Sequence, residues 1–388
     1  MTETLKLYDE DAYRQEFSAT VLSCEEGKDG YALILDQTVF FPEEGGQSAD
    51  TGYLCAEGST EQVQVKDVQI RDNVITHILE APLAVGTKVV GHIDFAARYD
   101  KMQQHSGEHI FSGTVHRLFG YDNVGFRLSD HIVTMDFNGP LSPEQVAEVE
   151  EAVNRVIWEN VPIVCRYVPK EELDRLEYRS KKELAGPVRL VQIASYDLCA
   201  CCAPHVYTTG EIGLLKVTSL QNYKGGVRIS ICCGNRALQD YREKQESVTA
   251  VSNLLSAKPE EIGDAVSRLL EENGAWKQRY NVLMGKMLSD QIDSMDPAPE
   301  NAILFEETFD PVVTRNAVNR MTERFSGYSA LFCGSEEEGY RFIIGSKAKD
   351  CREIAAGIKE LGGKGGGSAE MIQGSIHCER ARLEQLFA

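Results

Sequence analysis

The chain has 388 residues, 42% hydrophobic and 26% charged, and 60 Asp+Glu against 40 Lys+Arg give a formal net charge of −20. Such a composition excludes a disordered or collagen-like chain and predicts two or three domains of about 100–200 residues. No run approaches the roughly 18 apolar residues of a transmembrane helix, the polar, acidic start is neither a signal nor a transit peptide, and 11 cysteines, an odd number, point to a reducing cytoplasm rather than a disulfide framework.

Net acidity taken alone argues against nucleic-acid binding, which needs Lys and Arg for phosphate contacts. The charge is uneven, however. Residues 1–100 carry 7 Lys+Arg and 19 Asp+Glu, whereas residues 161–240 carry 11 and 8. One segment can therefore tolerate an anionic partner.

Residues 1–95 read as β-rich. Short apolar or β-branched runs at 19–22, 32–35, 63–70, 74–79 and 89–95 are punctuated by Gly, Asp and Asn, which predicts a small antiparallel sheet or barrel. Between two runs lies a loop, residues 38–52, with the adjacent glycines Gly45 and Gly46. Residues 96–240 read as α+β: helices over 96–119, ending at Gly120, and over 142–158, where Ser142-Pro143 supplies an N-cap and a proline at the first turn. Strands are predicted at 162–168, 188–193, 212–220 and 227–233.

From about 241 to 295 the period is helical. Ile262, Leu269, Trp276 and Leu283 recur every seven residues, with Val266, Asn273, Tyr280 and Met287 as a second seam. This heptad pattern suits packing within its own domain or a coiled coil with another helix. Residues 296–388 alternate strands and helices as a compact α/β unit containing the glycine-rich run Gly362–Gly374. The glycines suit a hinge, a phosphate cradle or a tight dimer contact. No Walker-type Lys-Ser/Thr pair follows them, which argues against nucleotide hydrolysis.

Two clusters carry chemistry. His105-Ser-Gly-Glu-His109 lies in a predicted helix, where residues i and i+4 share a face and two imidazoles can reach one ion. The same five residues satisfy H-x-x-E-H, a metallopeptidase pattern with Glu108 as general base that needs a further downstream ligand. Cys199-Ala-Cys201-Cys202-Ala-Pro-His205 is the other half. His105, His109, Cys201 and His205 make a nitrogen and sulfur set suited to tetrahedral Zn²⁺, although spacing does not choose among Cys199, Cys201 and Cys202.

His105-x-x-x-His109 with Cys201-x-x-x-His205 resembles the metal signature of the editing domains of alanyl- and threonyl-tRNA synthetases. Phe41–Gly52 resembles the glycine-rich loop of the alanyl type, and Gly362–Gly374 the C-terminal domain shared with DHH phosphoesterases. In this order the three motifs resemble the long form of the free-standing alanyl-tRNA editing proteins (AlaX type), with no segment for aminoacylation. The family's second site reads Cys-Gly-Gly-Thr-His; this chain has Cys-Cys-Ala-Pro-His, and Ser106 where the family has Thr.

The resemblance implies a small N-terminal β-barrel (1–95), an α+β zinc editing domain (96–240), a long helical segment (241–295) and a C-terminal α/β DHH-associated-type domain (296–388). It implies one Zn²⁺ on His105, His109, Cys201 and His205, hydrolysis of the ester on tRNA(Ala) mischarged with serine or glycine, and a cytoplasmic homodimer formed through the helical segment and C-terminal domain. Thr38, Gly45, Gly46, Gln47 and Ser106 would meet the substrate, Thr38 by reading the serine hydroxyl. Lys224, Arg228, Lys181 and Lys182 lead the tRNA-binding candidates, with Arg189 and Lys216 beside them. A zinc peptidase and a non-catalytic, zinc-stabilised tRNA-binding dimer are the alternatives.

Overall fold

The period-two pattern of the first hundred residues closes on itself. In the computed structural model, which describes residues 3–180 and 188–388, β1 (Glu16–Glu26), β2 (Tyr31–Leu35), β3 (Gly52–Ala56), β4 (Val63–Arg71), β5 (Val74–Leu79) and β6 (Lys88–Ile93) form an antiparallel barrel. Their order is β1-β2-β5-β4-β3-β6, with β6 paired back to β1. Five of the six strands coincide with the predicted runs. The sixth, β3, leaves the glycine loop at once and, as Gly-Tyr-Leu-Cys-Ala, carries no β-branched residue to mark it. The β4–β5 hairpin turns on Asp72 and Asn73, both at positive φ (51° and 60°), as a right-twisted two-residue turn requires.

Val21, Leu33, Leu35, Phe40, Phe41, Leu54, Ile75 and Leu79 fill the barrel. Each such side chain contributes on the order of 1.5–3 kcal/mol by leaving water. One polar pair shares this interior: Thr38 Oγ1 lies 2.9 Å from His77 Nε2, both residues fully buried. Burial pushes the His77 pKa down to about 4. The unfolded chain therefore binds a proton that the folded one refuses. This contribution to stability is complete above about pH 6.5 and is lost as the pH falls towards 4, at ~1.4 kcal/mol per unit, or roughly 3 kcal/mol. Chemical denaturation at about pH 7 and about pH 4 checks it: a His77→Gln variant should lose less stability across that interval than the parent, by roughly that amount.

After the barrel, α1 (Phe95–Phe119) starts at an Asp94 cap and stops at left-handed Gly120. It is buried nearly all round, polar residues included. Its partners are a sheet of β7 (Asn123–Leu128), β8 (Val133–Phe137), β12 (Leu215–Tyr223) and β13 (Gly226–Cys233), ordered β12-β13-β8-β7, and α2 (Pro143–Glu159). A capping box joins Ser142 to Gln145 at the α2 N-terminus. A second sheet joins β9 (Ile163–Val168), β10 (Val188–Ile193) and β11 (Asp197–Ala200). The strand predicted from 212 starts only at Leu215, because Thr208 and Glu211 form a capping box that winds Thr209–Ile212 into a 3₁₀ turn. Helix α3 (Gly234–Leu255) begins earlier than the predicted change of period at 241.

The chain divides into two compact units between Ser247 and Val248. In the second, α4 (Ile262–Ser294) and α5 (Pro311–Arg324) pack together. Strands β14 (Ala302–Glu306), β15 (Ser329–Ser335), β16 (Gly339–Gly345), β17 (Lys364–Gly367) and β18 (Met371–Ile376) form one sheet in the order β14-β15-β16-β18-β17, with α6 (Cys351–Glu360) and α7 (Arg380–Leu386) completing the unit. Leu288 and Ile292 anchor the end of α4 in its core. The heptad seams upstream stay open: Leu269 is 53% exposed, Trp276 65%, Leu283 62% and Met287 66%. The glycine run is an exposed edge strand, β17.

Candidate metal centre

One helical turn of α1 carries His105 and His109 on the same face, and the loop after β11 brings Cys201 and His205 against them. Their ligand atoms all lie within 4.8 Å of one another. Cys201 Sγ is 3.5 Å from Nε2 of both His105 and His205. That separation is about what two tetrahedral arms of ~2.3 Å (sulfur) and ~2.0–2.1 Å (nitrogen) span. The three histidines are buried and Cys201 is of intermediate exposure.

Each imidazole is held from behind by a different group. His105 Nδ1 is 2.7 Å from Gln47 Oε1, His205 Nδ1 3.0 Å from Ser106 Oγ, and His109 Nδ1 2.9 Å from Asp197 Oδ2. An acceptor at Nδ1 fixes the proton there and leaves Nε2 free to ligate. Gln47, Ser106 and Asp197 therefore act as the outer partners of a three-histidine, one-cysteine set. The residues present fit a metal ion. Asp197 is itself steadied by Arg179, whose Nε donates at 2.8 Å.

Electrostatics single out one thiol. Burial opposes a charged Cys201, but His105, His109 and His205 around the sulfur hold its pKa well below the ordinary thiol value. Burial lowers the His205 pKa to about 3, so its imidazole is neutral. For His109, burial is outweighed by the hydrogen bonds to Asp197 and Cys201, which lift its pKa well above the usual value. Burial raises the pKa of Cys199 to about 11 and pushes that of Cys202 higher still. Among the three cysteines, Cys201 is the one with thiolate character and the one in the four-residue set.

The glycine loop is clamped onto this site. Asp50 accepts from Arg98 Nε at 3.0 and 2.9 Å and from the Phe41 amide at 2.7 Å; Arg98, fully buried, also donates to Ala12 O and Val39 O. Lys101 Nζ holds Ala49 O at 2.6 Å. Gly46 has φ +86°, and a Cβ there would stand 2.6 Å from Phe126 O, so only glycine lets the loop lie this close to β7. Gly45, at φ +64°, faces Cys202 Sγ.

Other expected residues are placed differently. Ser106 and Gln47 touch the histidines, as above. The Thr38 hydroxyl is engaged inside the barrel by His77 and by the Phe40 amide. Glu108 is buried and accepts from Ser112 Oγ and Asn123 Nδ2, both at 2.6 Å, and lies outside the ligand set. Arg228 makes a two-pronged pair with Asp136, Lys216 pairs with Glu150, and Arg189 is buried, holding Cys201 O and Ala203 O. Lys224 sits at the β12–β13 turn over the Tyr223 ring. Lys181 and Lys182 lie outside the described residues. Sequence reasoning missed Asp197, Arg179, Asp50 and Arg98. Two of them stood near a motif: Asp197 is two residues before Cys199, and Asp50 lies in the Phe41–Gly52 loop.

The first unit thus joins a small barrel to an α+β module whose histidine–cysteine set could hold a metal ion. Residues 7–97 match the family described as class II (A) tRNA synthetases, and residues 188–230 the threonyl and alanyl tRNA synthetase second additional domain. The chain is 29% identical to the alanine–tRNA ligase of Pyrobaculum neutrophilum over 99% of its own length and 44% of that protein. It is 31% identical to that of Pyrobaculum aerophilum (96% and 43%) and 33% to that of Pyrococcus furiosus (72% and 31%). The chain thus spans less than half the length of these relatives. Over nearly its whole length it is similar to one part of these alanine–tRNA ligases.

Proposed function

We propose that the protein deacylates tRNA(Ala) carrying the wrong amino acid, most readily serine and also glycine, as a zinc-dependent aminoacyl-tRNA hydrolase. The observation that supports this best is the convergence of three oriented imidazoles and one thiol beside the glycine loop. When bound, zinc supplies Lewis-acid polarisation of an ester carbonyl and activation of water. This chain's residues do the rest. Gln47, Ser106 and Asp197 hold the imidazoles, and Gly46 lets the loop that carries Gln47 pack against β7. Net reaction is addition of water to the acyl carbon and cleavage of its bond to the ribose oxygen, which takes up the proton.

Lys224 is the described cation best placed at a turn for RNA contact; Arg228 would act through the Tyr223 and Asp136 cluster. A formal net charge of −20 implies weak, salt-sensitive holding of tRNA. A homodimer through the open seams of α4 and the C-terminal unit completes the reading. Sedimentation equilibrium tests it: Trp276→Glu with Leu283→Glu should convert a dimer to a monomer.

The direct test of the activity incubates the protein with seryl-, glycyl- and alanyl-tRNA(Ala) and follows the loss of ester. Serine should be removed fastest and alanine slowest; hydrolysis of none of the three overturns the proposal. Glu108→Gln separates it from a peptidase. With Glu108 tied to Ser112 and Asn123, deacylation should fall modestly, whereas loss of a general base would abolish turnover.

A further inference from the structure

Cys201 and His205 stand four residues apart, as His105 and His109 do, but no helix sets their separation. Residues 201–206 belong to neither helix nor strand, and Pro204 among them has no amide proton to give. Each residue of loose backbone costs about 1–2 kcal/mol to order, so a free loop would hold two ligands poorly. Another group has to do for this pair what the helical turn does for the first.

Arg189, on β10 and 7% exposed, is built to do so. Its Nη1 donates to both Cys201 O (3.0 Å) and Ala203 O (2.8 Å). Its own carbonyl accepts from the Cys201 amide at 3.1 Å. One residue thus grips the cysteine through amide and carbonyl and closes the bend that leads to His205. The far end of the loop is tied to α1, where Ser106 Oγ accepts from the Val206 amide at 3.3 Å.

A buried guanidinium needs a countercharge. Asp9 supplies it: Oδ1 lies 3.4 Å from Arg189 Nε, and Oδ2 accepts from the Tyr167 hydroxyl at 2.8 Å. Asp9 precedes the barrel strands and Tyr167 lies on β9, so the grip is braced from two sides. Buried this deeply, Arg189 does not present a cation to tRNA, the use expected of it from sequence.

We propose that Arg189 is a positioning residue of the metal centre: its Nη1, shared between Cys201 O and Ala203 O, fixes the bend that aims Cys201 Sγ and His205 Nε2 at one point, and Asp9 holds the guanidinium in that pose. The consequence for the metal stands on the ligand set alone; the consequence for ester hydrolysis rests on the editing function proposed above.

Two variants test it. Arg189→Lys keeps the charge but has no planar fork to hold Asp9 through one nitrogen and two carbonyls through another. Asp9→Asn removes the countercharge and leaves the guanidinium in place. The readouts are the zinc Kd by chelator competition, the thiolate-to-metal absorption band of protein loaded with Co²⁺, the melting temperature of metal-free protein, and kcat and KM for seryl-tRNA(Ala). Arg189→Lys should weaken zinc on the order of 10- to 100-fold and shift or weaken the cobalt band. Its kcat should fall while KM stays within about threefold, since the residue acts through the ligands and not on tRNA. Asp9→Asn should move the same readouts in the same direction and by less. A lower melting temperature with parental zinc Kd and cobalt band would mean a merely structural role and overturns the proposal; so does a raised KM with the metal readouts unchanged. Should Arg189→Lys fail to fold, Asp9→Asn decides, and parental metal readouts there overturn it. If the parent hydrolyses no ester, the editing function itself fails, while the zinc Kd and cobalt band still decide the role of Arg189.

Discussion

Replacing Cys201 by Ala should strip the site of its metal and abolish deacylation, while Cys199→Ala and Cys202→Ala keep their zinc. All three thiols lie within four residues, yet only the Cys201 sulfur stands 3.5 Å from two histidine nitrogens and is held as a thiolate. Structural zinc sites are worth roughly 10–16 kcal/mol over four ligands, so one ligand carries on the order of 3 kcal/mol, or about a hundredfold in affinity. Metal analysis of the purified variants after dialysis against a weak chelator checks this. Zinc retained by Cys201→Ala and lost from Cys199→Ala would mean that another thiol ligates.

The second large effect is expected far from the ligands. Asp50→Ala leaves the fully buried Arg98 without its countercharge, and breaking such a pair from one side costs about 3–5 kcal/mol. In a unit of this size that lowers the melting temperature on the order of 10 °C. Asp50 also caps the Phe41 amide and closes the loop that carries Gln47, so metal affinity should fall with stability. Joint replacement, Asp50→Leu with Arg98→Met, should restore most of the stability because no charge is left buried. Thermal unfolding of the three variants measures both effects. A double variant no more stable than Asp50→Ala would show that the pair does more than neutralise itself.

Local patterns were the legible part. Period-two runs marked five barrel strands, a four-residue spacing put His105 and His109 on one face, and the heptads marked α4. The partners that make a site of those residues are long-range. Asp197 reaches His109 across 88 residues of sequence and Gln47 reaches His105 across 58. Neither separation leaves a periodic trace. Buried charge is hidden for the same reason: Arg98 on an otherwise polar helix turn reads as a solvated face until Asp50 is placed against it. Resemblance brought Gln47, Ser106 and Thr38 to notice but could not say which way their polar atoms point, and those directions distinguish a ligand-orienting group from a substrate-reading one. The heptads of α4, by contrast, mark a face that stays largely exposed at Leu269, Trp276 and Leu283, so their period does not report the core of the unit.

The central claim is that the His105, His109, Cys201 and His205 set carries ester hydrolysis through a bound metal. Deacylation of seryl-tRNA(Ala) measured on the same protein sample before chelation, after removal of metal, and after re-addition of one equivalent of zinc tests it most directly. The rate should fall to the uncatalysed background on stripping and return with zinc. An undiminished rate in metal-free protein, or an intact ester in the presence of fully zinc-loaded protein, would contradict the account.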